Sequence, residues 1–456
     1  MTQEDRNRAH YIKMTETPVS KLISKLAIPT IISMLVSSIY NMADTFFVSQ
    51  LGTSASAAVG VVFSIMAIIQ AVGFTIGMGS GILASSALGA KDQKRADCVV
   101  SSAIAFGLIT ATLLSIFGLI FNKSLMSVLG ATETILPYAE AYARYIFLAC
   151  PFMVGSFILN NVLRSEGKAT YAMIGITSGG ILNIALDPLF IFAFNLGTAG
   201  AAIATALSQA ISFFILLYAF IKGKSNIKLG IKKISKDKNV YLRILKTGLP
   251  SLSRQGLASI ATALLNINAA AYGDAAVAAM SISGRITFFL FSALLGFGQG
   301  FQPVSGYNWG AQRYDRVRKA TIFTATVGTI IITTLSAICF IFAEPLITMF
   351  RKDDLEVIRI GIIALRAQCL MLPLTGINVT TNMALQSTSH VASATVLAMS
   401  RQGIFFIPSI LILPKIIGLL GVQIAQPASD GLTFLLTLYF FIRYLKKLKK
   451  KMEKQD

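Results

Sequence analysis

Charge is what this chain of 456 residues has least of: Asp, Glu, Lys and Arg together make up 13% of it, against roughly 25% in ordinary soluble domains. It has only two histidines, His10 and His390, and isolated imidazoles at that separation form no metal cluster. Its four cysteines, Cys98, Cys150, Cys339 and Cys369, show no paired spacing and fall in or at the ends of apolar runs. That pattern predicts free thiols, with neither a disulfide framework nor a metal site. No Gly-x-x-x-x-Gly-Lys-Ser/Thr sequence occurs, which argues against ATP drive and leaves no cofactor to expect. No nucleophile, base and orienting group are clustered, so an enzyme is the least favoured class. A cleavable signal is also missing, because the polar first 20 residues run into an apolar span that is too long and has no clear small-residue cleavage site.

What the chain has instead is apolar length. It is 54% hydrophobic, with a mean hydropathy of +0.69, and runs of about 20 apolar residues are long enough to cross a bilayer as helices. Twelve such runs are legible, at about 26–48, 56–79, 98–121, 138–163, 169–194, 199–221, 247–270, 275–301, 320–342, 357–384, 391–413 and 421–442. The expected fold is an all-α polytopic membrane protein.

An even number of spans puts both termini on one side, and most of the 40 Lys and Arg lie on that side. They lie in the N-terminal segment, Lys91 to Arg95, Arg164 and Lys168, the stretch 222–246, Arg313 to Lys319, and the tail from Arg443. The opposite loops hold only Lys123, Arg351, Lys352 and Lys415. By the positive-inside rule both termini face the cytoplasm. The net charge of +20 then reflects topology and attraction to anionic lipid heads, so membrane lipids are the expected macromolecular surroundings and nucleic acid is not.

The chain also repeats itself. An offset of 221 residues pairs Pro29 with Pro250, Gly52 with Gly273, Gly79 with Gly300, Gly89 with Gly310, Ala90 with Ala311, Arg95 with Arg316 and Asn161 with Asn382. Two six-helix halves of the same orientation follow, related by a pseudo-two-fold along the membrane normal, as in many secondary transporters. The expected organisation is an N-terminal lobe over 1–221, a basic cytoplasmic linker over 222–246, and a C-terminal lobe over 247–456 ending in a basic tail. A cavity between two lobes of one chain requires no partner, so the protein is expected to function as a monomer.

Two acids stand out within the spans. An ionised carboxylate deep in a bilayer costs about 2.5–3.5 kcal/mol on insertion scales, so such acids usually face a protein-lined cavity. Asp44 lies in Tyr40-Asn41-Met42-Ala43-Asp44-Thr45 near the outer end of the first span. Asp187, in Asn183-Ile184-Ala185-Leu186-Asp187-Pro188, shares a helical face with Asn183 at i, i+4, and Pro188 favours a kink. Thr205 in the sixth span falls at a comparable height. In the second half Asp44 maps to Leu265, and Asp187 to Pro408 or Ser409, so the scaffold is doubled while these acids are not. Their oxygens suit Na⁺, or a proton held between two coupled carboxylates. The competing readings are a capped helix end for Asp44, an interfacial turn for Asp187-Pro188 and an interhelical hydrogen bond for Asn183.

Tyr40-Asn41-x-x-Asp44-Thr45, Leu88-Gly89-Ala90, the segment from Asn161 to Ala169, the segment from Leu182 to Phe192 and Gly306-Tyr307-Asn308-Trp309-Gly310-Ala311 together resemble the multidrug and toxic compound extrusion (MATE) family over essentially the whole chain. The resemblance implies twelve helices in two lobes and export of bulky, often cationic, amphipathic compounds coupled to inward Na⁺ or H⁺. It points to the branch with a cation site in the N-lobe, DinF/MepA-like or archaeal-type. There the matching positions are Asp44, Asn183 and Asp187, with Tyr40, Thr205, Asn160 and Asn161 as neighbours. NorM-type members carry further acids in helices 7 and 10, but spans 247–270 and 357–384 contain none.

The second half instead has Arg254, Arg285 and Arg401 within spans, either lining a basic cavity for an anionic group or snorkelling to helix-end carbonyls. Met34, Met66 and Met280 are candidates for an adaptable substrate cavity, with plain packing as the alternative. The leading function is therefore an ion-coupled exporter. A flippase for anionic or lipid-linked substrates and a non-transporting receptor are the alternatives.

Overall fold

A computed structural model describes residues 3–351 and 354–455; Lys352, counted above among the outer basic residues, lies outside them. The described residues form helices and no strand. In order these are α1 (Gln3–Glu16), α2 (Val19–Ser49), α3 (Thr53–Gly89), α4 (Gln93–Ile120), α5 (Asn122–Val128), α6 (Leu136–Ser165), α7 (Ala169–Pro188) and α8 (Gly197–Ile221). Then follow α9 (Lys238–Ala270), α10 (Asp274–Gly310), α11 (Tyr314–Ile341), α12 (Ala343–Phe350), α13 (Leu355–Met371), α14 (Thr375–Ser387), α15 (Val391–Met399), α16 (Phe406–Ile417) and α17 (Leu419–Met452). The pairs α13/α14 and α15/α16 each form one continuous stretch, joined by a 3₁₀ turn over Leu372–Leu374 and a π-helical turn over Ser400–Ile404.

Twelve long helical stretches result among the described residues. Ten are long and apolar enough to cross a membrane by length and composition, and α9 and α17, the more polar pair, complete the set. In lipid a spanning segment must satisfy its own backbone hydrogen bonds, which a helix does unaided.

The repeat is visible in the turns. Left-handed backbone occurs at Gly52 and Gly273, at Lys91 and Gln312, and at Gly197 and Gly418, each pair 221 residues apart. Glycine adopts positive φ without steric penalty. Lys91 and Gln312 do not have that freedom, yet both take φ near +60° directly after a long helix.

By internal contacts the chain forms two units, Met1–Thr17 with Ile28–Leu252, and Pro18–Ala27 with Ser253–Asp456. In the first, α6 is the most buried span and packs against α3, α4, α7 and α8. In the second, α10 packs on α11 and α13, and Met280, Phe406, Ile410 and Val422 build an apolar core.

Two stretches differ from their sequence reading. The basic stretch expected as a linker over 222–246 is already helical from Lys238, where α9 begins, and its earlier part is bonded through its backbone to side chains of α4 and to Glu166 at the end of α6. The N-terminal segment is helical as α1, and His10 is buried rather than lying in a polar tail. Burial and the nearby Lys168 push the His10 imidazole down to about 4.

Candidate functional site

α2 contributes Tyr40 and Asp44, one turn apart on the same face. Neighbouring polar residues do not compete for this site: Asn41 donates to the Ser37 carbonyl at 2.7 Å and Thr45 to the Asn41 carbonyl at 2.9 Å. α7 contributes Asn183 and Asp187, again at i, i+4. After Pro188, which has no N–H to donate, the helix widens into a π-helical turn over Leu189–Ala193. Such turns are rare and frequently sit at functional sites.

Two glycines bring the elements together. A side chain at Gly180 of α7 would meet the Tyr40 ring at 3.1 Å, so α2 and α7 approach closely there. At Gly200 of α8, a Cβ would lie 2.5 Å from the Phe190 carbonyl oxygen of the π turn. That close approach sets Thr205, a little over one turn further along α8, against Asn183.

The Asn183 carboxamide donates to Asp187 Oδ1 at 3.2 Å and to Thr205 Oγ1 at 3.3 Å. Asp187 is completely buried, and Asn183 and Thr205 nearly so. Asp44 lies close enough for its charge to act on Asp187. From α6 comes Tyr142, fully buried, with its hydroxyl among Asp44, Asp187, Tyr40 and Thr205. Sequence reasoning missed it. Successive spans alternate in direction, so Tyr142 near the start of α6 falls at the same height as Asp44 near the end of α2, and that height argument was the available signal.

Four atoms of this cluster have no hydrogen-bond partner: Asp44 Oδ1, Asp187 Oδ2, the Asn183 carboxamide oxygen and the Tyr142 hydroxyl. Among the described residues no Lys or Arg forms a salt bridge with either acid. Buried polar atoms are normally satisfied, and buried charge is normally paired. A pocket of unpartnered oxygens carrying two carboxylates and no fixed cation is chemically fitted to a mobile one, either H⁺ or Na⁺. No group of three His, Cys, Asp or Glu of the kind that holds a transition metal occurs among the described residues.

Asn160 and Asn161 are not brought to this cluster. Asn160 donates to the Ala172 carbonyl at 3.0 Å, and Ala172 is eleven residues before Asn183 on α7, roughly 16 Å along the helix at 1.5 Å per residue. Asn161 donates to the Phe157 carbonyl at 2.7 Å and accepts from the Arg164 guanidinium. Asn160 thus ties α6 to α7 toward the opposite end, while the bonds of Asn161 stay within α6.

The weaker candidates separate in the same way. Met280 is buried in the core of the second unit, while Met34 and Met66 are half-buried. Arg285 is exposed and lines a cavity of about 360 Å³ with Asp274, Ser281, Arg351 and Asp354. Arg401 does not present a free charge: its Nε lies 2.7 Å from Asp430 Oδ1, its guanidinium stacks 4.3 Å over the Phe291 ring, and Gln426 also donates to Asp430. Asp430 on α17 corrects the sequence reading, as does Glu140 near the start of α6: Asp44 and Asp187 are not the only acids within spans. What distinguishes the first unit is not possession of an acid but possession of acids without a built-in cation.

Comparison with known proteins gives one consistent picture. The MatE family model matches residues 29–189 and 250–412, two segments that begin 221 residues apart at Pro29 and Pro250. A multidrug export protein, MepA, of Staphylococcus aureus (strain NCTC 8325 / PS 47) is 31% identical over 411 residues, covering 89% of this chain and 90% of that protein. The crystal structure of a MATE protein in complex with MaL6 superimposes with a TM-score of 0.91 at 28% identity, over 96% of this chain and 99% of the other. An outward-facing multidrug resistance MATE family transporter of the MOP superfamily matches with a TM-score of 0.91 at 28% identity, over 96% and 98% of the two chains.

Proposed function

The chain belongs to the MatE family of membrane transporters, and from that premise we propose that it expels bulky amphipathic, mainly cationic, compounds across the cytoplasmic membrane in exchange for H⁺ or Na⁺. It is a multi-pass efflux transporter rather than an enzyme, and its relatives are multidrug exporters. The observation that carries the ion-coupled reading is the cluster of unpartnered oxygens on Asp44, Asp187, Asn183 and Tyr142. A cation entering it neutralises carboxylate charge and supplies a partner to oxygens that otherwise have none.

Coupling follows if the two access states bind that cation unequally. A ligand shifts a conformational equilibrium only by its differential affinity for the two states, and antiport results when ion and drug each disfavour the state that the other prefers. The π turn after Pro188 adjoins Asp187 directly, so occupancy of the carboxylate and the local winding of the α7 end are mechanically linked. In this reading both termini are cytoplasmic, from the distribution of basic residues, and one chain is sufficient. The anionic-substrate alternative loses Arg401 as a support, since Asp430 already neutralises it.

The test is uptake of a fluorescent cationic dye into inverted vesicles, driven separately by a Na⁺ gradient and by a pH gradient, with wild type beside Asp44→Asn and Asp187→Asn. Dye uptake that needs one gradient and disappears in both variants is the expected result, and the effective gradient identifies the ion. Undiminished gradient-driven uptake in Asp187→Asn would overturn the reading.

A further inference from the structure

The stretch between α8 and α9 carries an exposed lysine at 222, 224, 228, 232, 236 and 238. A polybasic connection of this kind is usually mobile, but this one is fastened. Glu166, completely buried, accepts from Ser225 Oγ at 2.6 Å and from the Asn226 N–H at 2.7 Å. Asp97 of α4 accepts from the Lys228 N–H at 2.9 Å and from Lys233 Nζ at 2.5 Å, and Gln93 donates to both Asp97 and the Asn226 carbonyl. Further along, the Gly230 and Ser235 N–H groups donate to Ser101 and Ser102 at 3.3 and 2.8 Å, and the Tyr241 hydroxyl closes the turn on the Ser235 carbonyl at 2.6 Å.

These bonds also fix depth. Ser101 and Ser102 lie eight and nine residues into α4, roughly 12–14 Å from its end. The apolar run of α4 begins near residue 98, three to four residues before these serines. The tip of the stretch therefore lies level with the boundary between headgroups and acyl chains. At that tip is Ile231, 88% exposed, between Lys228 and Lys232. A branched apolar side chain pointing away from the protein gains nothing in water, but at this depth it meets hydrocarbon. Lysines above the boundary with an apolar side chain below it form the two-part pattern of an interfacial anchor.

We propose that the 222–238 stretch is a preformed binding surface for anionic phospholipid, with the lysines on the headgroup phosphates and Ile231 among the acyl chains. Because the backbone is already ordered, lipid binding does not have to fix it, which favours affinity. The proposal goes beyond the export reading and does not depend on what is exported.

The test uses the detergent-solubilised full chain titrated with phosphatidylglycerol or phosphatidylcholine, with bound lipid read by native mass spectrometry. Wild type is expected to retain phosphatidylglycerol over phosphatidylcholine. The combined variant K224Q/K228Q/K232Q/K236Q should weaken phosphatidylglycerol binding tenfold or more. Ile231→Ser, which leaves every charge in place, should weaken it several-fold, so the acyl contact is tested even if the combined variant folds poorly. A control that removes four exposed tail charges, K446Q/K449Q/K450Q/K454Q, should change binding little. Wild-type binding by the combined variant, or equal loss in the tail control, would overturn the proposal in favour of diffuse attraction. Displacement of the lipid by millimolar glycerol phosphate, with Ile231→Ser neutral, would overturn it in favour of a soluble-phosphate site. Gradient-driven dye uptake is a separate readout, so failure of one reading leaves the other standing.

Discussion

The Asn183 carboxamide donates to one carboxylate oxygen of Asp187, 3.2 Å away, while the other oxygen of that carboxylate is buried without a partner. The amide orients the acid through a fixed bond and leaves its second oxygen for something that comes and goes.

Replacing Asp187 with Asn preserves size and the acceptor for Asn183 but removes the charge. The variant is expected to fold, to melt at or above the wild-type temperature at pH values where the acid would otherwise be ionised and unpaired, and to lose the stabilisation that saturating cation gives wild type. Binding to the folded state alone stabilises by RT ln(1 + [L]/Kd), about 2.7 kcal/mol at a hundredfold excess over Kd. Melting in a series of Na⁺ concentrations and pH values measures it, and an unchanged ion response would refute the assignment.

Tyr142→Phe and Asn160→Ala should give opposite patterns. The first deletes a hydroxyl whose neighbour for a bond, Thr205, lies outside good hydrogen-bond geometry, so stability should hold while the apparent affinity for the coupling ion falls several-fold. The second removes a buried bond between α6 and the Ala172 carbonyl of α7, which should cost about 1 kcal/mol and leave ion affinity unchanged. Paired melting and ion-titration curves for the two variants test both halves.

Breaking the ion pair of the second unit is a stability experiment. Arg401→Met leaves Asp430, whose side chain is 3% exposed, without its cation, and loss of one partner of a buried pair typically costs about 3–5 kcal/mol. Adding Asp430→Asn should restore much of that loss. A double variant as unstable as the single one would show that packing, not charge, dominates there.

Two groups outside the spans predict opposing pH effects. Burial raises the Glu166 carboxyl from 4.5 to about 7, with Ser225, Asn226 and Lys168 pulling it back and Asp97 pushing it further up. The folded state therefore holds this proton more tightly, so its contribution to stability is present below pH 4.5 and is lost as pH rises through 7. His10, lowered from 6.5 to about 4, contributes fully above pH 6.5 and loses that contribution as pH falls through 4. Each term is on the order of 3 kcal/mol. Melting of Glu166→Gln and His10→Gln against wild type from pH 4 to 8 should give difference curves of opposite slope; parallel curves would contradict both assignments.

Much of the architecture was legible in the chain because the bilayer imposes a simple rule, roughly 20 apolar residues per crossing, and because a 221-residue repeat survives at positions where backbone geometry constrains the residue. Gly52 and Gly273 are such positions. The acidic cluster was legible because Asn183 and Asp187 share a face and because depth can be counted from helix ends. Tyr142 escaped because tyrosine near a span end reads as an interfacial aromatic. Asn160 and Asn161 lie away from the acids because resemblance identifies residue types in a motif, whereas the partner of Asn160 depends on which helix lies opposite and Asn161 is spent on its own helix. The partner of Arg401 is 29 residues away on another helix, and no local pattern announces a pair of that kind.

The Arg401–Asp430 pair bears on the response to membrane voltage. A carboxylate bound to its own guanidinium is electrically mute: it carries no net charge through the field, and moving it does no work against the membrane potential. Each elementary charge that does cross is worth about 2.3 kcal/mol per 100 mV. In the proposed cycle, then, the electrogenicity of transport depends on the occupancy of Asp44 and Asp187 together with the charge of the cargo. Neutralising Arg401 in a chain that still folds would uncover the charge of Asp430 and add one elementary charge to what the second half exposes to the field.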